Sequence, residues 1–157
     1  FESVVTTEEG NFSFITIGAK ERVRYIDNLT YVYDANGECR EIESDPFSYL
    51  QDYYGKIDKK LYAQRAERAG FSFVDGFIGF IAYDMVKVFE PVLREYMQSL
   101  EDELGTPDLD LVRPKIIIAY SHKSSELTVI DPDGENGAIA KRIEELLARP
   151  HTPRRFK

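Results

Sequence analysis

Several residue types and patterns are scarce in this chain, and each scarcity closes off a class of function. Cysteine is almost missing. Cys39 stands alone, so no internal disulfide can form, and a reducing, cytoplasmic setting is the default. Cys39 has no histidine near it in sequence and reads as a packed or partly buried strand residue rather than a nucleophile. Histidine is nearly as rare. His122 and His151 fall in a turn and in a tail, without a metal-ligand spacing or a second ligand beside them, and both read as exposed. No apolar run approaches the roughly 18 residues needed to cross a membrane, and no signal peptide is visible. Positive charge is in deficit. With 20 Lys and Arg against 28 Asp and Glu the net charge is −8, which argues against nucleic acid as a partner. No serine sits in a G-x-S-x-G turn. The glycines make neither a phosphate loop nor a dinucleotide fingerprint.

What the chain does contain is enough apolar material for one domain. It has 157 residues, with Tyr and Phe at ten each. Residues 12–17 and 22–26 read as two strands. Residues 30–33 and 40–42 flank Asn36-Gly37, a hairpin signal. Asp45-Pro46 opens a helix that presents Phe47, Leu50 and Tyr53 or Tyr54 on one face. A second, more polar helix over 59–69 ends at Gly70. Residues 92–104 follow a helical pattern, closed by Gly105-Thr106-Pro107, and Pro114 opens the strand 115–120. After a turn at 122–125 comes the strand 126–130, then a turn at 131–134. The helix over 138–148 points Ile139, Ile143, Leu146 and Leu147 inward. Strands outnumber helices and arrive in hairpin-like groups, so the expected fold class is α+β with mostly antiparallel sheets.

The most informative stretch is Phe73 to Glu90, FVDGFIGFIAYDMVKVFE. Two glycines three apart, Gly76 and Gly79, interrupt a run too apolar for a surface. That predicts a buried strand with a close backbone approach at Gly79. The run passes into a short helix from Tyr83, with Met85, Val88 and Phe89 on one buried face. Tyr83-Asp84 could carry chemistry. The favoured reading is a helix start, with Asp84 at the positive end of the dipole and Tyr83 packed with its hydroxyl satisfied. Glu101-Asp102-Glu103 could hold magnesium but reads more simply as a solvated helix face.

These motifs resemble, in order, those in the N-terminal part of the large subunit of anthranilate synthase and of aminodeoxychorismate synthase, two chorismate-utilising enzymes. Asp75-Gly76, Gly79-Phe80, Tyr83-Asp84 and Phe89-Glu90 stand where that family has Gly-Gly, Gly-Tyr, Tyr-Asp and Phe-Glu. Lys87 occupies its usual arginine position. Phe1-Glu2-Ser3 is similar to the end of the LLES motif, and Asn11 to Ile15 to the GRYSFIG strand. Ser44 to Phe47 and Gly105 to Asp108 follow at matching places.

The resemblance implies an N-terminal domain over 1–148 and a linker or disordered tail over 149–157. The chain begins with Phe inside a family motif and is expected to be a fragment. The whole enzyme would make anthranilate and pyruvate from chorismate, with ammonia from a glutamine amidotransferase partner. Its Mg2+ and reacting groups would lie in a C-terminal chorismate-binding domain. The fragment itself would have no catalytic residues and no cofactor. By the same resemblance Glu2, Ser3, Ser13 and Phe14 would bind tryptophan as an effector. An amino-acid ligand needs acceptors for its ammonium, donors for its carboxylate and an apolar slot. Two alternatives stay open: the folate-pathway aminodeoxychorismate synthase, and a non-enzymatic acidic α+β binding domain.

Overall fold

A computed structural model describes residues 12–98 and 105–150. The described chain is α+β, with an antiparallel sheet in the order β3-β2-β1-β5-β4 and β6 also paired to β5. The strands are β1 (Phe12–Ile26), β2 (Leu29–Tyr33), β3 (Cys39–Ile42), β4 (Ile78–Ile81), β5 (Leu109–Ser121) and β6 (Glu126–Ile130). The helices are α1 (Pro46–Gly55), α2 (Lys59–Ala69), α3 (Val86–Phe89), α4 (Pro91–Gln98) and α5 (Gly137–Leu147). No described helix is long and apolar enough to cross a membrane. The chain divides into two units, Gly18–Pro114 and Phe1–Ile17 with Lys115–Lys157.

The two strands expected over 12–17 and 22–26 are one continuous strand, β1. Gly18, at φ 67°, supplies the left-handed residue that lets a strand bend without ending. β1 then turns on Asp27 and Asn28, both at positive φ (52° and 63°), and pairs with β2 from Ile26↔Leu29 to Arg22↔Tyr33. Those are the angles of a two-residue hairpin, and Asp and Asn tolerate them best after glycine. The hairpin signalled by Asn36-Gly37 also forms, with a longer connection. The Asp34 carboxylate accepts from the backbone amides of Asn36 and Glu38, and only Gly37 takes positive φ there.

α1 and α2 begin as the sequence predicts. Asp45 accepts from the amides of Phe47 and Ser48, and Asp58 from those of Lys60 and Leu61. α2 closes on Gly70 at φ 70°. The Gly18–Pro114 unit gathers its core around Val23, Tyr25, Val32, Met85 and Leu109, with Phe47, Phe77 and Val88 packed against it.

Pro114 does not open a strand; it lies fully buried inside β5. β5 can hold a proline there because its partner changes at that point. The β4 register ends at Val112 and the β6 register starts at Ile117. The residues between them carry no registered pair to either strand, so the missing N–H costs no bond on that side.

The other unit buries Ile116, Ile117, Ala119, Ile130 and Ile143. Asp131 closes its last turn by accepting from the amides of Gly134 and Asn136. Of the four residues expected to face inward on α5, only Ile143 is buried. Ile139, Leu146 and Leu147 are exposed.

Burial also corrects the reading of the glycine-marked stretch. Only Ile78–Ile81 is strand, it ends the sheet order, and Gly79, Phe80 and Ile81 are exposed. The close approach at Gly79 is real nonetheless. A Cβ built there would stand 2.0 Å from the Asp110 carbonyl oxygen. Periodicity could not separate the two cases, since an apolar run is compatible with a central strand or with an edge that another element covers. Beyond it, Tyr83–Met85 forms a 3-10 turn leading into α3. Met85 is buried as expected, but Phe89 is exposed at its outer side while its ring stands 4.7 Å from that of Phe47. Tyr83 is 87 % exposed rather than packed. Cys39, on the edge strand β3, is exposed and not packed.

Candidate functional site

The residues nominated from sequence divide between described and undescribed parts of the chain. Glu2 and Ser3 lie outside the described residues, as do His151 and the acidic run 101–103. Ser13 and Phe14 open β1. Alternation along a strand puts Phe12 and Phe14 on one face and Ser13 on the other. The two phenyl rings are 6.2 Å apart and tilted by 44°, an apolar pair of the kind that can flank an aromatic ligand. The Ser13 hydroxyl and His122 Nε2 are 2.8 Å apart, in the same unit. His122 is held in turn by Tyr120, whose ring meets it edge-on at 4.9 Å.

His122 is therefore exposed, as its place in a turn predicts, and it also partners the nominated serine. Sequence reasoning missed the pairing because the two residues are 109 positions apart. A hydroxyl fixed by an imidazole can present either a lone pair or its proton outward, according to which partner donates. That suits it to bind either the ammonium or the carboxylate of a small ligand.

A second cluster was not foreseen. Tyr53 and Tyr54 end α1, Tyr62 lies on α2, and Asp75 precedes β4. Together with Arg113 of β5 they border adjoining clefts of about 280 and 590 Å³. Arg113 donates to Asp75 through Nε and a terminal nitrogen, at 2.8 and 2.6 Å, and its guanidinium lies 5.1 Å above the Tyr53 ring. Burial alone would raise the Asp75 carboxyl. The hydrogen bonds and charge of Arg113, helped by Lys20, outweigh burial and hold it below the usual carboxylate range. Burial, reinforced by the Asp75 charge, pushes Tyr53 up to about 12.

At neutral pH Asp75 stays ionised and engaged, and Tyr53 keeps its proton. The cluster is thus a lock between the segment ahead of β4 and β5 rather than a proton-transfer site. The signal that could have found it is the charge itself: an aspartate inside an apolar run requires a cationic partner. Three polar contacts of the same kind tie β5 and its approach to their neighbours. Asp110 meets Arg22 and Arg24, and Asp108 meets Lys87. Tyr83-Asp84, the remaining candidate, is displayed at the surface; Asp84 stands in the first turn of the 3-10 segment, as expected.

Known proteins place this arrangement in context. No family model matches the chain. Anthranilate synthase component 1 of Thermus thermophilus is 30 % identical over 134 residues, 83 % of this chain and 25 % of that protein. The Aquifex aeolicus protein of the same name is 26 % identical over 136 residues, 86 % of this chain and 26 % of its own length. The chain is a relative of anthranilate synthase component 1. It spans about a quarter of the length of these curated relatives. The crystal structure of anthranilate synthase component I from Streptococcus pneumoniae matches 96 % of this chain and 32 % of its own, at a TM-score of 0.66 and 23 % identity. That likeness establishes the fold, and the α+β class read from sequence stands with it. Likeness to anthranilate synthase component 1 thus runs through 83 % of this chain in sequence and 96 % in fold.

Proposed function

We propose that this chain is the N-terminal part of an anthranilate synthase component I, contributing scaffold and an effector site rather than the reacting groups. One observation carries the reading: the sequence relationship to proteins of that name runs through 83 % of this chain while covering a quarter of theirs. The whole protein would convert chorismate and ammonia to anthranilate and pyruvate, with ammonia delivered by a glutamine amidotransferase. Residues 1–148 would form the domain, and 149–157 would lead onward. Among the described residues no group of three or more His, Cys, Asp or Glu could hold a metal ion. The described residues therefore offer no ligand set that fits the magnesium of such an enzyme.

The effector reading is tryptophan, held by Glu2, Ser3, Ser13 and Phe14. The Ser13 hydroxyl, held by His122, supports its part as a polar anchor, while the Phe12–Phe14 ring pair supports Phe14 separately, as apolar surface on the opposite face of β1. The test is made on the full-length protein. Supplied with chorismate, magnesium and ammonia, it should form fluorescent anthranilate, while the 157-residue chain alone forms none. Ser3→Leu and Ser13→Ala should each weaken tryptophan inhibition about tenfold or more, the equivalent of one charge-assisted hydrogen bond, with turnover retained. Inhibition curves that coincide with the parent's would remove the effector site. Absence of anthranilate would remove the enzyme reading.

A further inference from the structure

The outer side of the Gly18–Pro114 unit between Phe80 and Tyr96 has the wrong chemistry for a surface in contact with water. Phe80 and Ile81 on β4 are 46 % and 54 % exposed, and Tyr83 and Phe89 are 87 % and 62 % exposed. On α4, Val92, Leu93 and Tyr96 fall at the spacing of one helical face and are 82 %, 37 % and 68 % exposed. The polar residues Arg94 and Glu95 on the same helix are exposed as well. An amphipathic helix normally turns its apolar stripe to a core, and a single-domain protein rarely leaves a patch of this kind uncovered. β4 adds a second feature. It ends the sheet order, pairing only with β5 among the described residues, and it lacks the lysine, proline or charge that guards a free edge.

We propose that this face, the β4 edge with Tyr83, Phe89 and α4, is the seat of the polypeptide that continues beyond this chain in a component I of full length. The inference rests on the reading given under Proposed function. The occupant follows from length and chemistry. The matched segment is about a quarter of the Thermus relative, so most of such a polypeptide remains to be packed against something. A tethered neighbour meets the patch at high effective concentration, so the edge needs no protection against foreign strands. Interfaces within one chain are ordinarily polar and mobile, and a large apolar one signals fixed docking. The aromatic and aliphatic make-up here is of the fixed kind.

The experiment uses the full-length protein with Cys39→Ser and one new thiol, Val92→Cys on the patch or Lys60→Cys on exposed α2 as the reference. Maleimide labelling is followed by mass, with the protein unfolded in guanidinium as the common standard. The expected result is that position 92 reacts at least about 100-fold more slowly than position 60 at every protein concentration and without any added subunit. Equal rates at 92 and 60 would overturn the proposal. Protection that disappears on dilution would assign the face to a second copy. Protection that requires the amidotransferase would assign it to that subunit. Either of those results also overturns the proposal. If the reading frame stops near Lys157, both this inference and the component I reading fall. If anthranilate is formed while position 92 stays reactive, only this inference falls.

Discussion

Two strands of four residues each stand at the two ends of the sheet order, and they are built to opposite rules. β3 reads Cys39-Arg40-Glu41-Ile42, with its first three residues exposed and charge of both signs in the middle. β4 reads Ile78-Gly79-Phe80-Ile81, with its last three residues exposed and no charge at all. Each hydrogen-bonds to a single partner, β3 to β2 and β4 to β5. The charged edge discourages further pairing, while the apolar edge invites it. Each edge also depends on an aspartate just ahead of it. Asp34 folds the turn into β3 by accepting two backbone amides. Asp75 fixes the approach to β4 by taking both arms of Arg113. The lesson is that edge position alone does not say whether a strand is finished; the side chains do.

The sharpest break in the comparison is Gly79→Val. In the turn into β3 a Cβ built at Gly37 would meet no atom within 4 Å, whereas at Gly79 of β4 it would meet the Asp110 carbonyl oxygen at 2.0 Å. The obstacle is backbone, so nothing flexible can move aside. Overpacking of this kind should cost about 3 kcal/mol or more and separate β4 from β5. Thermal melts of parent and variant check this. An unchanged midpoint would mean that the β4–β5 approach is looser than drawn.

Next comes Asp75→Asn. It leaves the Arg113 guanidinium, only 22 % exposed, without its counter-charge, and removing one partner from a largely buried pair costs about 3 kcal/mol at neutral pH. The pH dependence has a definite sign. The Asp75 carboxyl titrates below its ordinary value in the folded protein, so its contribution is whole above the ordinary value. It is lost as pH falls from about 4 through the folded value. Denaturant midpoints of parent and variant should therefore stand well apart at pH 7 and converge in acid. A gap that is constant with pH would show that packing, not charge, carries the effect.

Asp34→Ala tests the opposite edge and should be milder. The carboxylate is exposed and closes only its own turn, so two amides that lose it are rehydrated. The expected loss is about 1 kcal/mol, read from chemical denaturation. Amide exchange should quicken in β3 while β4 is unaffected. Exchange that quickens equally in both strands would mean that the edges are not independent.

Much of this was legible in sequence because local chemistry determines it. Asp45, Asp58 and Gly70 bound their helices through backbone groups a few residues away, and the hairpin-like grouping of the strands along the chain carried the α+β class. Burial was less legible. Phe80, Ile81, Phe89, Leu146 and Leu147 are apolar yet exposed, and periodicity cannot tell a core face from an uncovered one. The pairs Ser13–His122 and Asp75–Arg113 join residues distant in sequence, so no window of the chain contains both partners. Even so, a lone charge in the apolar stretch 71–82 was a visible sign that a cation had to come from elsewhere. Pro114 misled for a simpler reason. A proline normally marks a strand's end, but here it falls where β5 exchanges β4 for β6.

The smallest effect sharpens the comparison from the quiet side. Cys39 is the residue of β3 opposite Tyr33, exposed, at the outer edge of the sheet. Its thiol contributes no described hydrogen bond and buries little surface. Cys39→Ser should accordingly shift stability by less than about 0.5 kcal/mol, the range of substitutions away from caps, cores and paired charges. Since β3 is guarded by Arg40 and Glu41 and not by the thiol, the variant should also stay as soluble as the parent. A thiol-reactive dye should label native parent protein at a rate close to that of the unfolded chain, because an accessible thiol reacts according to its exposure and thiolate fraction. The matching change on the other edge, Phe80→Ser, should be as quiet only if β4 is as free as β3. In the full-length protein it should instead lower the melting temperature, since there the proposed neighbour rests on that ring. Two serine substitutions on exposed residues of opposite edges, one silent and one not, are the outcome expected of a sheet finished at β3 and continued at β4. Equal silence in the full-length protein would show that both edges face water.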